Sequence, residues 1–172
     1  ATALAQQKKR ANKTAAKYVV KIAANADLSG MVHSSASTQL LFELAAVCNQ
    51  IARLCCFSIA QQFATDMIDL DSHQWISSIM RRPSTANSTS VQGACCHALS
   101  NLLELTPVGN ISRTERQNDF INSNVHVAVV KTLGTEICTG NRDCVVSALK
   151  LASLLTEKNK AAAKRFRKIG AV

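Results

Sequence analysis

Apolar residues along this chain recur at helical spacing in nearly every segment. Leu4, Ala11, Ala15, Tyr18, Val19 and Ile22 form one stripe over residues 2–24, with Lys9, Lys13, Lys17 and Lys21 as a basic edge every fourth residue. Asp27-Leu28-Ser29-Gly30 reads as a break. From about Thr38 to Phe57 the pattern LFELAAVCNQIARLCCF is apolar almost all round, as expected for a helix packed on more than one side. A short helical segment follows at about 61–68. Asp71 or Ser72 can then cap a helix carrying Trp75, Ile76, Ile79 and Met80, with Arg81-Arg82 where the helix dipole favours positive charge. The polar, Pro-containing RPSTANSTS at 82–90 reads as the clearest surface loop. Helices are expected again at 91–105, 116–121, 124–133 and 144–157, followed by a basic segment that ends at Gly170.

The pattern also repeats at long range. NQIARL (49–54), HALSNL (97–102) and LKLASL (149–154) place similar words 48 and 52 positions apart, counted from Arg53 to Asn101 to Ser153. Self-similarity at this period is the mark of a helical solenoid, in which each unit buries its apolar face only against its neighbours. One continuous core is expected through Leu99, Leu102, Leu103, Val129, Val130, Leu133, Val146, Leu149, Leu151 and Leu154. The expected organisation is a single domain over 1–172, in units of about 1–37, 38–88, 89–140 and 141–172.

Within 89–133, TSVQGACCHALSNLLEL followed by RQNDFINSNVHVAVVKTL resembles the armadillo run VQxxAxxALSNL … RxxIxxxxxIxxLVxLL. Residues 141–172 resemble the same unit, cut off at Gly170-Ala171-Val172 where its third helix would open. Residues 38–81 match more loosely, and the two-helix HEAT family is the nearest confusion. The resemblance implies an all-α, armadillo-like right-handed superhelix, a piece of a longer array, that binds proteins through its groove. Large assemblies such as cilia and flagella use armadillo proteins in this way, as do adhesion and trafficking complexes. The groove-facing positions implied are Asn49, Arg53, His97, Asn101, Lys150 and Ser153. Armadillo adaptors for nuclear import signals line the groove with Trp and Asn four residues apart. Here the pairs are His97 with Asn101, Asn49 with Arg53, and Leu149 with Ser153, so the Trp ladder is missing and a nuclear transport adaptor is the weaker reading. With the third helix of the last unit cut off, Leu151, Leu154 and Leu155 are expected to lack cover unless further chain or a partner supplies it.

Composition agrees with helices: 47% hydrophobic residues, 4% aromatic, 6 Gly and 2 Pro. Charge changes the picture more. The net charge of +9 is concentrated in residues 1–21 and 158–168, which carry six basic residues each and no acid, whereas residues 22–157 hold 8 basic and 11 acidic side chains. An acidic body with basic ends argues against a nucleic-acid-binding surface as the main function and leaves a nucleic-acid-associated repeat as an alternative. Lys160, Lys164, Arg167 and Lys168, with the amino-terminal lysines, form basic edges suited to an acidic protein surface.

Candidate chemistry is sparse. Seven cysteines, four of them in adjacent pairs, read as free core thiols of a reducing intracellular compartment such as cytoplasm, cytoskeleton or nucleus. Cys95-Cys96-His97 lacks convergent zinc spacing, and Cys138-x₅-Cys144 can approach across a turn without a second pair. Asp66, Asp69 and Asp71 lack the remaining ligands of a calcium loop. Phosphate-loop, nucleophile-elbow and zinc-protease motifs are absent, as is any apolar run of membrane-spanning length. The expectation is a non-enzymatic scaffold with no cofactor and no membrane span.

Overall fold

The computed structural model describes residues 60–104 and 113–170, together with Ala46 and Asn49, both helical. The described residues are helical throughout, with no strand among them. In chain order the helices are α1 (Ala60–Asp69), α2 (Ser72–Arg81), α3 (Pro83–Ala86), α4 (Thr89–Glu104), α5 (Arg113–Asn122), α6 (Val125–Leu133), α7 (Glu136–Thr139), α8 (Arg142–Thr156) and α9 (Lys160–Lys168). The helical expectations at 2–24 and across most of 38–57 lie outside the described residues.

Elements α1–α4 and α5–α8 are the same unit twice. Ala60 to Arg113, Ser72 to Val125, Pro83 to Glu136 and Thr89 to Arg142 are each 53 positions apart, and the paired helices differ in length by at most one residue. The turns repeat as well. Asp71 and Asn124, again 53 apart, both take the left-handed conformation, with φ 57° and 60°. Asp and Asn tolerate this backbone better than bulkier residues do. Gly170 (φ 86°) occupies the same place after α9, so α9 matches α1 and α5. Expected units beginning at 89 and 141 open on α4 and α8; counting from α1 describes the same elements in another phase.

The third helices α4 and α8 pack directly on each other. Near their starts the backbones approach so closely that a Cβ on Gly93 would lie 3.4 Å from Cys144 Cα. Further along, Lys150 Nζ meets Glu104 Oε2 at 2.8 Å. Contact thus advances in the same direction on both helices. The second helices, α2 and α6, likewise pack together, and Ser77 Oγ donates to Ser123 O at 3.0 Å just before α6.

One core runs through all of this. Val91, Cys95, Ala98 and Leu102 of α4 are fully buried, and so are Cys144, Ala148, Leu151 and Leu155 of α8, each 53 residues on. Spacing of i, i+4, i+7 and i+11 keeps them on one helix face. An aromatic joint recurs between units. His73 stacks on Phe120 with centroids 5.0 Å apart, and His126 meets Phe166 edge-on at 5.9 Å. The two histidines are 53 positions apart, and each phenylalanine belongs to the first helix of the next unit.

Three expectations need correction. Val146 and Leu149, assigned to the core, are 56% and 53% exposed. Leu151 and Leu155, expected to lack cover, are fully buried, and Leu154 is partly buried against the core. Both errors have one cause: α8 is apolar on several faces, and only the placement of its neighbours decides which face is covered. Residues 82–90 are not a loop either. Pro83 opens the one-turn helix α3, with Arg82 extended before it as proline requires. Thr85 is buried, and its hydroxyl donates to the Ile79 carbonyl at the end of α2. Gln92 is buried beside it. Its amide nitrogen donates to Met80 O (2.9 Å) and Thr85 O (3.1 Å), and its amide oxygen accepts from Thr132 Oγ1 (2.7 Å). These polar residues are interior because every bond they would make to water is replaced.

Candidate functional site

The cap of α8 sets the orientation of the face that matters. Asn141 Oδ1 accepts from Cys144 N at 3.0 Å, and Asp143 adds negative charge in the first turn. At the other end Gln117 Nε2 donates to Leu154 O (2.8 Å) and Glu157 O (3.0 Å), tying the carboxyl end of α8 to α5. Arg113 pairs with Glu157 at 3.0 Å in the same corner. Held this way, α8 turns Ala148, Leu151 and Leu155 inward and leaves Val146, Leu149, Lys150 and Ser153 outside.

Beside this exposed stripe lies a groove of about 770 Å³. Its walls come from the end of α6 (Val130, Leu133), from α8 (Leu149, Ala152, Ser153) and from α9 with Phe166 and Arg167. Asn159 caps α9, accepting from Ala162 N at 2.9 Å, and donates to Asn118 Oδ1 at 3.1 Å. Arg165 reaches Asn122 Oδ1 at 3.1 Å. Helix α9 is thereby anchored to α5 while Lys160, Lys164, Arg167 and Lys168 stay exposed along it.

The expected site residues divide accordingly. Ser153 and Arg167 line the groove, and Lys164 and Lys168 share α9 with it. His97 and Lys150, 53 positions apart, sit on the exposed ridge of α4 and α8. Desolvation by its surroundings, and secondarily the Lys150 ammonium, lower the pKa of His97, which favours the neutral ring. Asn101 is only 5% exposed, and its amide nitrogen lies 3.5 Å from His97 Nε2; it is a buried residue and does not line the groove. Sequence alignment paired Asn101 with Ser153, but the structural counterpart of Ser153 is Ser100, one residue earlier. Asn49 is an exposed helical position. Arg53, Lys9, Lys13, Lys17 and Lys21 lie outside the described residues.

A second concavity, about 340 Å³, lies where α2 meets α5, lined by Asp71, His73, Gln74, Arg116 and Asp119 among others. Arg116 is buried, with Asp69 4.0 Å away, and its Nε, like His73 Nδ1, has no partner among the described residues. Burial pushes the pKa of His73 below the ordinary 6.5, against the opposing pull of Asp71 and Asp119. Burial does the same to His126, helped by Arg165 and opposed by a hydrogen bond at the Ile121 backbone. The thiols Cys95, Cys96, Cys138 and Cys144 are free and buried. Burial, together with repulsion by and a hydrogen bond with Cys138, pushes Cys144 up to about 12, so it is a poor nucleophile at neutral pH. Among the described residues no helix is long and apolar enough to cross a membrane.

Sequence reasoning missed the apolar lining of the groove and the His–Phe joints. The joints had a readable signal, since His73 and His126 each follow a turn-forming Asp or Asn by two residues. The chain matches no protein-family model, and comparison with curated proteins and with solved structures found no similar protein.

Proposed function

We propose that this chain is an armadillo-like α-solenoid, a right-handed stack of three-helix units, and that it works as a non-enzymatic scaffold binding proteins through the surface carried by its third helices. The recurrence of a helix, helix, one-turn helix, long helix unit at 53 residues is the observation that carries this reading. Three principal helices per unit favour the armadillo over the two-helix HEAT arrangement. With α4 and α8 packed in parallel, His97 and Lys150 take equivalent exposed positions 53 residues apart, so each unit would add a similar ridge to an extended surface. The basic edge on α9 supplies a complement for acidic partners.

The test is a photo-cross-linking amino acid placed at His97 or Ser153, with Thr139 on α7 as the control position. Discrete protein adducts in native extract from the first two positions, and none from the third, support the scaffold reading. Adducts to RNA, or an identical pattern from all three positions, defeat it.

A further inference from the structure

The molecule contains its own precedent for what covers the groove. One unit earlier, the surface equivalent to the groove is formed by Ser77 and Met80 of α2, Cys96 and Leu99 of α4, and Phe120 of α5, all fully buried. What buries it is α6 lying on α2 and α8 lying on α4. The inward face of α6 has an aliphatic centre, Val125, Ala128 and Val129, with His126 and Thr132 buried beside it. At the groove the corresponding residues are Val130, Leu133, Leu149, Ala152 and Phe166, and Leu149 is half exposed where its counterpart Cys96 is 0% exposed. One of the differences between the two sites introduces charge. Ile121, buried at the first joint, is replaced by Arg167 at the groove. That substitution, on a helix with Lys160, Lys164, Arg165, Arg167 and Lys168 and no acid, puts positive charge on the lip of an apolar slot.

From this we infer that the groove between α6, α8 and α9 is the docking site for an amphipathic α-helix of a partner protein, aliphatic on its buried face and acidic along its flank. The partner helix seats as α6 and α8 seat one unit earlier. Its Val, Ala or Leu side chains cover Leu133, Leu149 and Ala152, and its carboxylates meet Arg167. Helix-in-groove recognition of this kind uses anchors at i, i+3/i+4 and i+7. Apolar burial gives the affinity, and charge sets orientation and partner choice. The inference rests on the scaffold reading and names its partner class and site.

The experiment uses the full chain and a labelled synthetic helix of roughly 18 residues, with a Leu/Val stripe and Glu flanks, read by fluorescence anisotropy. Saturable binding is expected, weakened at least about tenfold when the Glu flanks are changed to Lys, when Arg167→Glu is introduced, or when salt is raised. Leu149→Lys is expected to abolish binding. Leu149 is exposed, so the thermal melt of that variant stays unchanged and the loss belongs to the surface. Failure of the Glu-flanked helix to bind overturns the inference. So does equal binding of the Lys-flanked helix, or concentration-dependent self-association of the chain that Leu149→Lys abolishes, since a second copy would then fill the groove. If the Glu-flanked helix fails to bind while cross-linking from His97 in the same chain persists, the groove assignment fails and the scaffold reading survives. If adducts are absent too, both fall.

Discussion

Helices α4 and α8 are the same element in two settings. Both begin after a polar residue, Ser88 or Asn141, placed 53 positions apart, and both carry a fully buried stripe at matching positions. Yet α4 also buries Cys96, Leu99, Ser100 and Leu103, whereas at the matching positions of α8 Leu149 and Ser153 are exposed and Ala152 and Thr156 are half-buried. The difference lies less in hydrophobicity than in neighbours: α4 has α8 against its second face, and α8 has no described helix in that place. In a repeating architecture the same apolar pattern therefore means core in one unit and open surface in the next.

Paired substitutions at equivalent positions would break or sharpen this comparison. The largest effect is expected at the joints. Phe120→Ala should cost about 3–5 kcal/mol in urea unfolding, because the ring is fully buried and stacked on His73. Phe166→Ala, at the rim of the open groove, should cost clearly less; equal losses would mean the groove end is as enclosed as the interior. Next comes Gln92→Leu, expected to cost about 1–3 kcal/mol, since Met80 O and Thr85 O would lose a buried donor. Retention of full stability would remove Gln92 from the structural account.

Acid sensitivity should follow. His73 and His126 have folded-state pKa values below the ordinary 6.5, so the unfolded chain takes up their protons first as pH falls. Their contribution to stability is intact above about pH 7 and declines as pH drops through 6.5 towards the lower folded values. Chemical unfolding at pH 7.5 and 5.5 should show the decline, reduced in His73→Gln. A flat profile in the unsubstituted chain would contradict the burial of the two rings. The smallest effect on stability, within about 0.5 kcal/mol, is expected for Leu149→Cys. The new thiol should react with a disulfide reagent at once, while Cys96 at the equivalent place in α4 waits for unfolding. Equal rates would erase the distinction between the two helices.

The helices were legible because apolar spacing of 3.6 is imposed by the backbone itself. HALSNL and LKLASL do lie on corresponding helices, α4 and α8. Their register was misread by one residue, since words rich in Leu, Ala and Ser align almost as well when slipped. Thr85 was misplaced for a different reason: a polar residue is interior when its partners are, and Thr85 bonds the Ile79 carbonyl at the end of the preceding helix while Gln92, seven positions on, bonds the carbonyl of Thr85 itself. The groove was partly legible. Ser153, Arg167 and the α9 lysines were singled out for partner contact, but Leu149 was assigned to the core, because its exposure depends on the packing order of whole helices.

Gln92 has one more consequence. A chain assembled from look-alike units faces an addressing problem: the second helix of one unit can in principle be accepted by the cradle meant for another. Residue 145, the counterpart of Gln92, is valine, so the three-bond amide cluster has no copy at the corresponding place in the next unit. It behaves as a keyed connector. An aliphatic helix offered to that cradle without a hydroxyl where Thr132 stands would strand a buried amide oxygen, and misassembly would cost more than correct pairing.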